Sequence, residues 1–143
     1  MPSAPLHGHL PVPRTAIIDA DRRVQQSLAE VLRVAGRVTV VGVAGDVRAG
    51  LELVEREHPD VVIVDPQLPD LAAGQAFLSG LRLAWPSTQV VLTGWTDLRE
   101  RPGVVGHAAA YVAKSGSSED FVTAVENACC AVVDESAGLE ARA

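Results

Sequence analysis

Hydrophobic and polar positions along this chain follow two rhythms in turn. Short runs rich in β-branched residues are Ala16-Ile17-Ile18, the stretch Val38 to Val43, Val61-Val62-Ile63-Val64, Gln89 to Leu92 and Tyr111-Val112-Ala113. Between them apolar residues return every three or four positions. The first rhythm predicts strands, the second amphipathic helices, and their alternation predicts an α/β domain whose parallel sheet is wound on both faces.

After the first strand, Val24, Leu28, Val31 and Ala35 predict the buried stripe of a first helix, stopped by Gly36 as a left-handed cap. Asp46 is placed to cap a second helix with Val47, Leu51 and Val54 inside and Glu52 paired with Arg56 outside; Pro59 ends it. A third uses Phe77, Leu78, Leu81 and Trp85, and stops at Pro86. The last helix opens at Ser117 or Ser118 with Glu119 and Asp120 in its first turn, and buries Phe121, Val125, Ala128 and Val132. A fourth helix over 95–101 is cut to about two turns by Pro102 and Gly103.

Where four of the five strand runs end, a reactive side chain follows. Asp19, Asp65, Thr93 and Lys114 stand at four such ends. In an open parallel sheet, ligands bind in the crevice beyond the carboxyl ends of the strands. One acid pair, one hydroxyl and one ammonium are therefore expected to converge there.

The length, 143 residues, suits one domain that buries roughly two thirds of its unfolded surface. With 48% apolar and 21% charged residues, composition is that of an ordinary globular protein. A net charge of −6 offers no attraction to nucleic-acid phosphates or anionic lipid, so direct nucleic-acid binding is not expected. No apolar stretch approaches the roughly 18 residues of a membrane span, and no signal peptide is apparent; a cytoplasmic protein is expected. Cys129 and Cys130, adjacent in sequence, suit two small buried hydrophobes better than a redox pair. Residues 1–13, with four prolines, are expected to form a disordered leader in which His7 and His9 make a poor metal site. His58 and His107 suit the surface.

Over about residues 14–131 the chain resembles the receiver domain of bacterial two-component response regulators. The resemblance is carried by "VVIVDPQLP" at 61–69, "VVLTG" at 90–94 and "YVAK" at 111–114. Helix two and strand three are closest to the subfamily that ends in a helix-turn-helix DNA-binding domain, and residues 132–143 look like the start of the linker or a C-terminal tail. The resemblance implies a flavodoxin-like (βα)5 sheet of order 2-1-3-4-5, with Asp19 beside Asp65. It implies a signalling module rather than an enzyme, with self-catalysed phosphotransfer and dephosphorylation at most. Asp65 is then the phosphoacceptor for a histidine kinase or phosphotransfer protein, with Mg²⁺ held by Asp19, Asp65 and the Gln67 carbonyl. Thr93 and Lys114 stabilise the transferring group. Phosphorylation would draw Thr93 in, let Tyr111 fill the space it leaves, and alter the face made by the fourth helix, fifth strand and fifth helix, where a downstream protein or a second copy would bind.

Two positions depart from that pattern. Receivers carry consecutive acids after strand one, whereas this chain reads Asp19-Ala20-Asp21; Asp21 suits a helix cap better than a metal ligand. Pro66 has no amide hydrogen to offer a phosphoryl oxygen. Two alternatives follow: a pseudo-receiver that binds partners without phosphorylation, and a haloacid-dehalogenase-like phosphatase using Asp19 in "IIDAD" as nucleophile.

Overall fold

The run of four apolar residues at 61–64 is wholly buried because it becomes the middle strand of a five-stranded parallel sheet. The computed structural model describes residues 12–95, 106 and 108–129. Its elements are β1 (Arg14–Ile18), α1 (Arg22–Ala35), β2 (Thr39–Ala44), α2 (Val47–Glu57), β3 (Val61–Val64), α3 (Leu71–Ala84), β4 (Gln89–Gly94) and β5 (Ala110–Ala113), followed by a last helix over 118–129. The strand order is β2-β1-β3-β4-β5, as expected of the doubly wound fold. The fourth helix expected before β5, its shortening, the segments 1–11 and 130–143, His107 and Val132 lie outside the described residues.

Side chains alternate across the strands, so each face builds its own core. Ile18, Val62, Val64 and Leu92 meet Leu53 and Val54 of α2 and Phe77, Leu78 and Leu81 of α3. On the opposite face Ile17, Val61, Ile63 and Val91 meet Leu28, Ala29 and Leu32 of α1 and Phe121, Val122 and Val125 of the last helix. The third helix thus buries Phe77, Leu78 and Leu81 as expected, with Trp85 half-buried, and the last helix buries Phe121, Val125 and Ala128. Cys129 lies half-buried against the second core, and His58 is exposed at the end of α2.

Helix one differs from expectation. Its buried stripe is Gln25, Leu28, Ala29 and Leu32, while Val31 and Ala35 are exposed and Val24 is half-buried. The helix is rotated because a polar residue has a partner inside: the Gln25 amide reaches a backbone carbonyl, and small Ala29 lets the helix sit close to the sheet. In α2 the deepest side chains are Leu53 and Val54, with Val47 and Leu51 half-buried beside them. Glu52 pairs with Arg48 at 3.3 Å, not with Arg56, which lies 3.2 Å from Glu57.

Helix ends follow local chemistry. Asp21, Asp46 and Asp70 accept the amides of Arg23, Ala49 and Ala73 at 2.9, 2.8 and 2.9 Å. Gly36 ends α1 at φ 73°, a left-handed cap. Ser117 and Asp120 form a reciprocal box, the Asp120 amide donating to Ser117 Oγ at 3.2 Å and the Ser117 amide to Asp120 Oδ2 at 3.0 Å. Among the described residues no helix is long and apolar enough to cross a membrane.

Candidate functional site

Register alone brings the reactive strand ends side by side. Ile18 pairs with Val64, and Val64 with Leu92, so Asp19, Asp65 and Thr93 emerge in one row. On the far side Gly94 pairs with Ala113, and Lys114 follows, its amide donating to the Gly94 carbonyl at 3.0 Å. Asp19, Asp65 and Thr93 are 2%, 8% and 1% exposed.

Lys114 reaches back across this row. Its Nζ lies 2.7 Å from Asp19 Oδ2 and 2.6 Å from Asp65 Oδ2, with only 5% of the side chain exposed. Burial by itself lowers the lysine pKa; the close Asp19 and Asp65 carboxylates outweigh it and hold the ammonium above the ordinary lysine value. Each carboxylate keeps its other oxygen on an amide two residues ahead. Asp21 N–H donates to Asp19 Oδ1 at 2.8 Å, and Gln67 N–H to Asp65 Oδ1 at 3.0 Å.

Two carboxylates against one ammonium leave a formal charge of −1 in the site. Asp19 Oδ2 and Thr93 Oγ1 are buried without an aligned hydrogen-bond partner among the described residues; for Asp19 Oδ2, Lys114 is a close charge but not a well-directed donor. A buried anionic oxygen without an aligned hydrogen-bond donor, beside a second carboxylate, fits a hard divalent cation such as Mg²⁺, which takes one or two carboxylates and completes its shell with water and phosphate. No third acid joins: among the described residues no cluster of three or more His, Cys, Asp or Glu side chains forms a metal site. Ala20 is exposed, and the Asp21 carboxylate is on the Arg23 amide, in the capping role expected of it.

The loop after β3 is held by packing. Pro66 is buried, and a Cβ added at Gly74 of α3 would lie 1.6 Å from its carbonyl oxygen, so only glycine fits there. Gln67 is exposed, with its amide turned to Asp65. Tyr111, half-buried against the first core, donates its hydroxyl to the Gly94 carbonyl at 3.3 Å.

A cavity of about 430 Å³ opens beside Thr93 and Lys114, between α1 and the last helix. Val24, Leu28, Val31 and Phe121 wall it, which accounts for the valines of α1 that are not in the core. The Trp95 ring, 70% exposed, stands over Lys114 with its centroid 5.5 Å from Nζ, a cation–π contact.

Two contributors were not singled out by sequence reasoning. Gln25 donates through Nε2 to the Asp19 carbonyl at 2.6 Å. Its only signal was a polar residue in phase with Leu28, Ala29 and Leu32. Trp95, two residues beyond Thr93, reads in sequence as the start of a helix.

A family model described as the response regulator receiver domain matches residues 15–126. The transcriptional regulatory protein PdtaR of Mycobacterium tuberculosis is 38% identical over 120 residues, covering 80% of this chain and 56% of that protein. The transcriptional regulatory protein MctR of Rhizobium johnstonii is 32% identical over 115 residues, covering 79% and 53%. The chain thus spans about half the length of these relatives. Among solved structures, the signal receiver domain of NarL from M. tuberculosis aligns with a TM-score of 0.71 at 27% identity, covering 82% of this chain and 95% of that chain. A CheY-like receiver domain protein from Methanospirillum hungatei shares the fold with a TM-score of 0.74 at 21% identity, covering 87% and 98%. These matches leave the phosphatase alternative without support. With a five-stranded sheet of order 2-1-3-4-5 and a family match across most of its length, the chain belongs to the response regulator receiver domains, the signalling modules of bacterial two-component systems.

Proposed function

We propose that the chain is a cytoplasmic phosphoacceptor, taking a phosphoryl group on Asp65 from the phosphohistidine of a histidine kinase or phosphotransfer protein. The observation that carries this reading is Lys114 Nζ bridging Asp19 and Asp65 at 2.7 and 2.6 Å, with the buried Thr93 hydroxyl beside the cavity and without a hydrogen-bond partner among the described residues.

An Asp65 oxygen attacks phosphorus as the P–N bond breaks, and the bonding electron pair stays on the departing imidazole nitrogen. Lys114 moves from the carboxylate to a phosphoryl oxygen, and the Thr93 hydroxyl donates to another. Asp19, Asp65 and the Gln67 carbonyl would hold Mg²⁺, which supplies charge neutralisation for the transferring oxygens. Pro66 contributes no amide, so Thr93 and Lys114 carry more of the donor work. The donor approaches through the cavity, whose apolar wall of Val24, Leu28 and Phe121 leads to Thr93 and Lys114.

Phosphorylation then pulls Thr93 toward the phosphoryl group and lets Tyr111 follow, changing the face around β5 that meets a downstream protein or a second copy of the chain. The decisive experiment is incubation with acetyl phosphate and Mg²⁺, followed by intact mass. One added phosphoryl group in the native chain and none in Asp65→Asn is the expected result.

A second reading, a pseudo-receiver that binds partners without phosphorylation, is favoured by Ala20 in place of an acid and by Asp21 being engaged as a cap. An unmodified mass from a fully folded chain in that experiment would select it.

A further inference from the structure

Asp19 is restrained at three of its four polar atoms. Its amide donates to the Ala44 carbonyl at 3.0 Å, its carbonyl accepts Gln25 Nε2 at 2.6 Å, and its Oδ1 accepts the Asp21 amide at 2.8 Å. The fourth, Oδ2, is buried, turned into the site and ion-paired with Lys114 Nζ at 2.7 Å, with no aligned hydrogen-bond donor among the described residues. Of these three hydrogen bonds, two are to backbone groups, the Ala44 carbonyl on β2 and the Asp21 amide two residues ahead. The Gln25 amide is the one supplied by a side chain from another element.

Gln25 is unusual in its setting. It lies on α1 with 9% exposure, among Leu28, Ala29 and Leu32 on the face turned to the sheet. A buried primary amide is costly unless it is bonded, so its presence at this position calls for the bond it makes. Gly45 makes room for it: a Cβ there would lie 3.0 Å from Gln25 Nε2 and 3.8 Å from the Asp19 carbonyl oxygen.

We infer that Gln25 is a positioning residue that holds the turn after β1 so that Asp19 Oδ2 faces the cation site, with Gly45 giving the amide its clearance. The inference rests on the reading of Asp19 as a ligand of Mg²⁺. With Ala20 removing one carboxylate from the turn, the orientation of the remaining one sets cation affinity more strongly than it would in a site with acids to spare.

The test is Mg²⁺ binding to the full chain without any phosphodonor, followed by calorimetry and by amide NMR shifts at Asp19 and Asp65, alongside thermal unfolding. Gln25→Met keeps the volume and removes the donor; Gly45→Ala keeps the donor and displaces it; Gln26→Ala, at the exposed neighbour, is the control. A rise of about tenfold in the Mg²⁺ Kd for Gln25→Met is expected from loss of an outer restraint on a metal ligand. A smaller rise is expected for Gly45→Ala, and none for Gln26→Ala.

A Kd within twofold of the native value in Gln25→Met and Gly45→Ala, while Asp19→Asn abolishes binding, would overturn the inference and leave the metal reading intact. Absence of Mg²⁺ binding in the native chain would overturn both. Should Gln25→Met fail to fold, Gly45→Ala decides alone, because it leaves the amide in place: lowered stability with an unchanged Kd makes Gln25 purely structural.

Discussion

The turns that leave β1 and β3 solve one problem in two ways. Each begins with a buried aspartate whose Oδ1 accepts an amide two residues on, at 2.8 Å for Asp19 and 3.0 Å for Asp65. Each gives its Oδ2 to the same lysine. Beyond that they part. The first turn is anchored by a hydrogen bond, Gln25 to the Asp19 carbonyl, and the second by contact of the Pro66 backbone with Gly74. A hydrogen-bonded anchor can be retuned by a side-chain change at moderate cost, whereas a backbone contact too close for a methyl group cannot. The flexible solution sits under the proposed metal ligand and the rigid one under the proposed phosphoacceptor.

The largest expected effect breaks the rigid side. Gly74→Ala puts a Cβ 1.6 Å from the Pro66 oxygen, so helix and loop must separate; a loss of about 3 kcal/mol is expected in denaturant unfolding, together with impaired phosphorylation. Alanine at Gly80, where among the described residues no atom outside its own stretch of helix lies within 4 Å of the added Cβ, should be neutral or slightly stabilising and serves as the contrast.

Lys114→Met strikes both turns together. It leaves Asp19 and Asp65 as like charges without their cation, so stability should fall by about 2 kcal/mol at pH 7 and Mg²⁺ should restore part of it. The sign with pH follows from the raised lysine pKa. Stability from the ammonium is fully present below the unfolded lysine value and is lost only as pH rises through the higher folded one. Urea midpoints for the native chain and Lys114→Met should therefore stay a constant distance apart between pH 7 and 9 and converge only under strongly alkaline conditions.

Smaller effects sharpen the comparison at the helix caps. Asp21→Ala and Asp70→Ala each remove an N-cap, one per turn, and should each cost about 1 kcal/mol in thermal unfolding. Asp21→Ala should leave the Mg²⁺ Kd almost unchanged, since its carboxylate is engaged with Arg23; a tenfold rise would make Asp21 a ligand as well as a cap. Gln67→Ala should change stability by less than about 0.5 kcal/mol, because this exposed residue uses its backbone amide toward Asp65.

The strands and the side chains that end them, Asp19, Asp65, Thr93 and Lys114, were legible in the sequence, and the strand order followed from the family resemblance. Residue pattern and a parallel register are enough to set which side chain ends each strand, and local capping chemistry at Asp21, Asp46, Gly36 and Ser117 is written in neighbouring residues. The rotation of α1 was not legible. Hydropathy favours Val24 and Val31 over Gln25 and Ala29, and only the carbonyl waiting at Asp19 makes the polar residue the buried one. Nor could spacing reveal that Gly74 meets Pro66 or that Trp95 covers Lys114. Those depend on how closely two elements distant in sequence approach, a quantity decided when both faces of the sheet are packed at once.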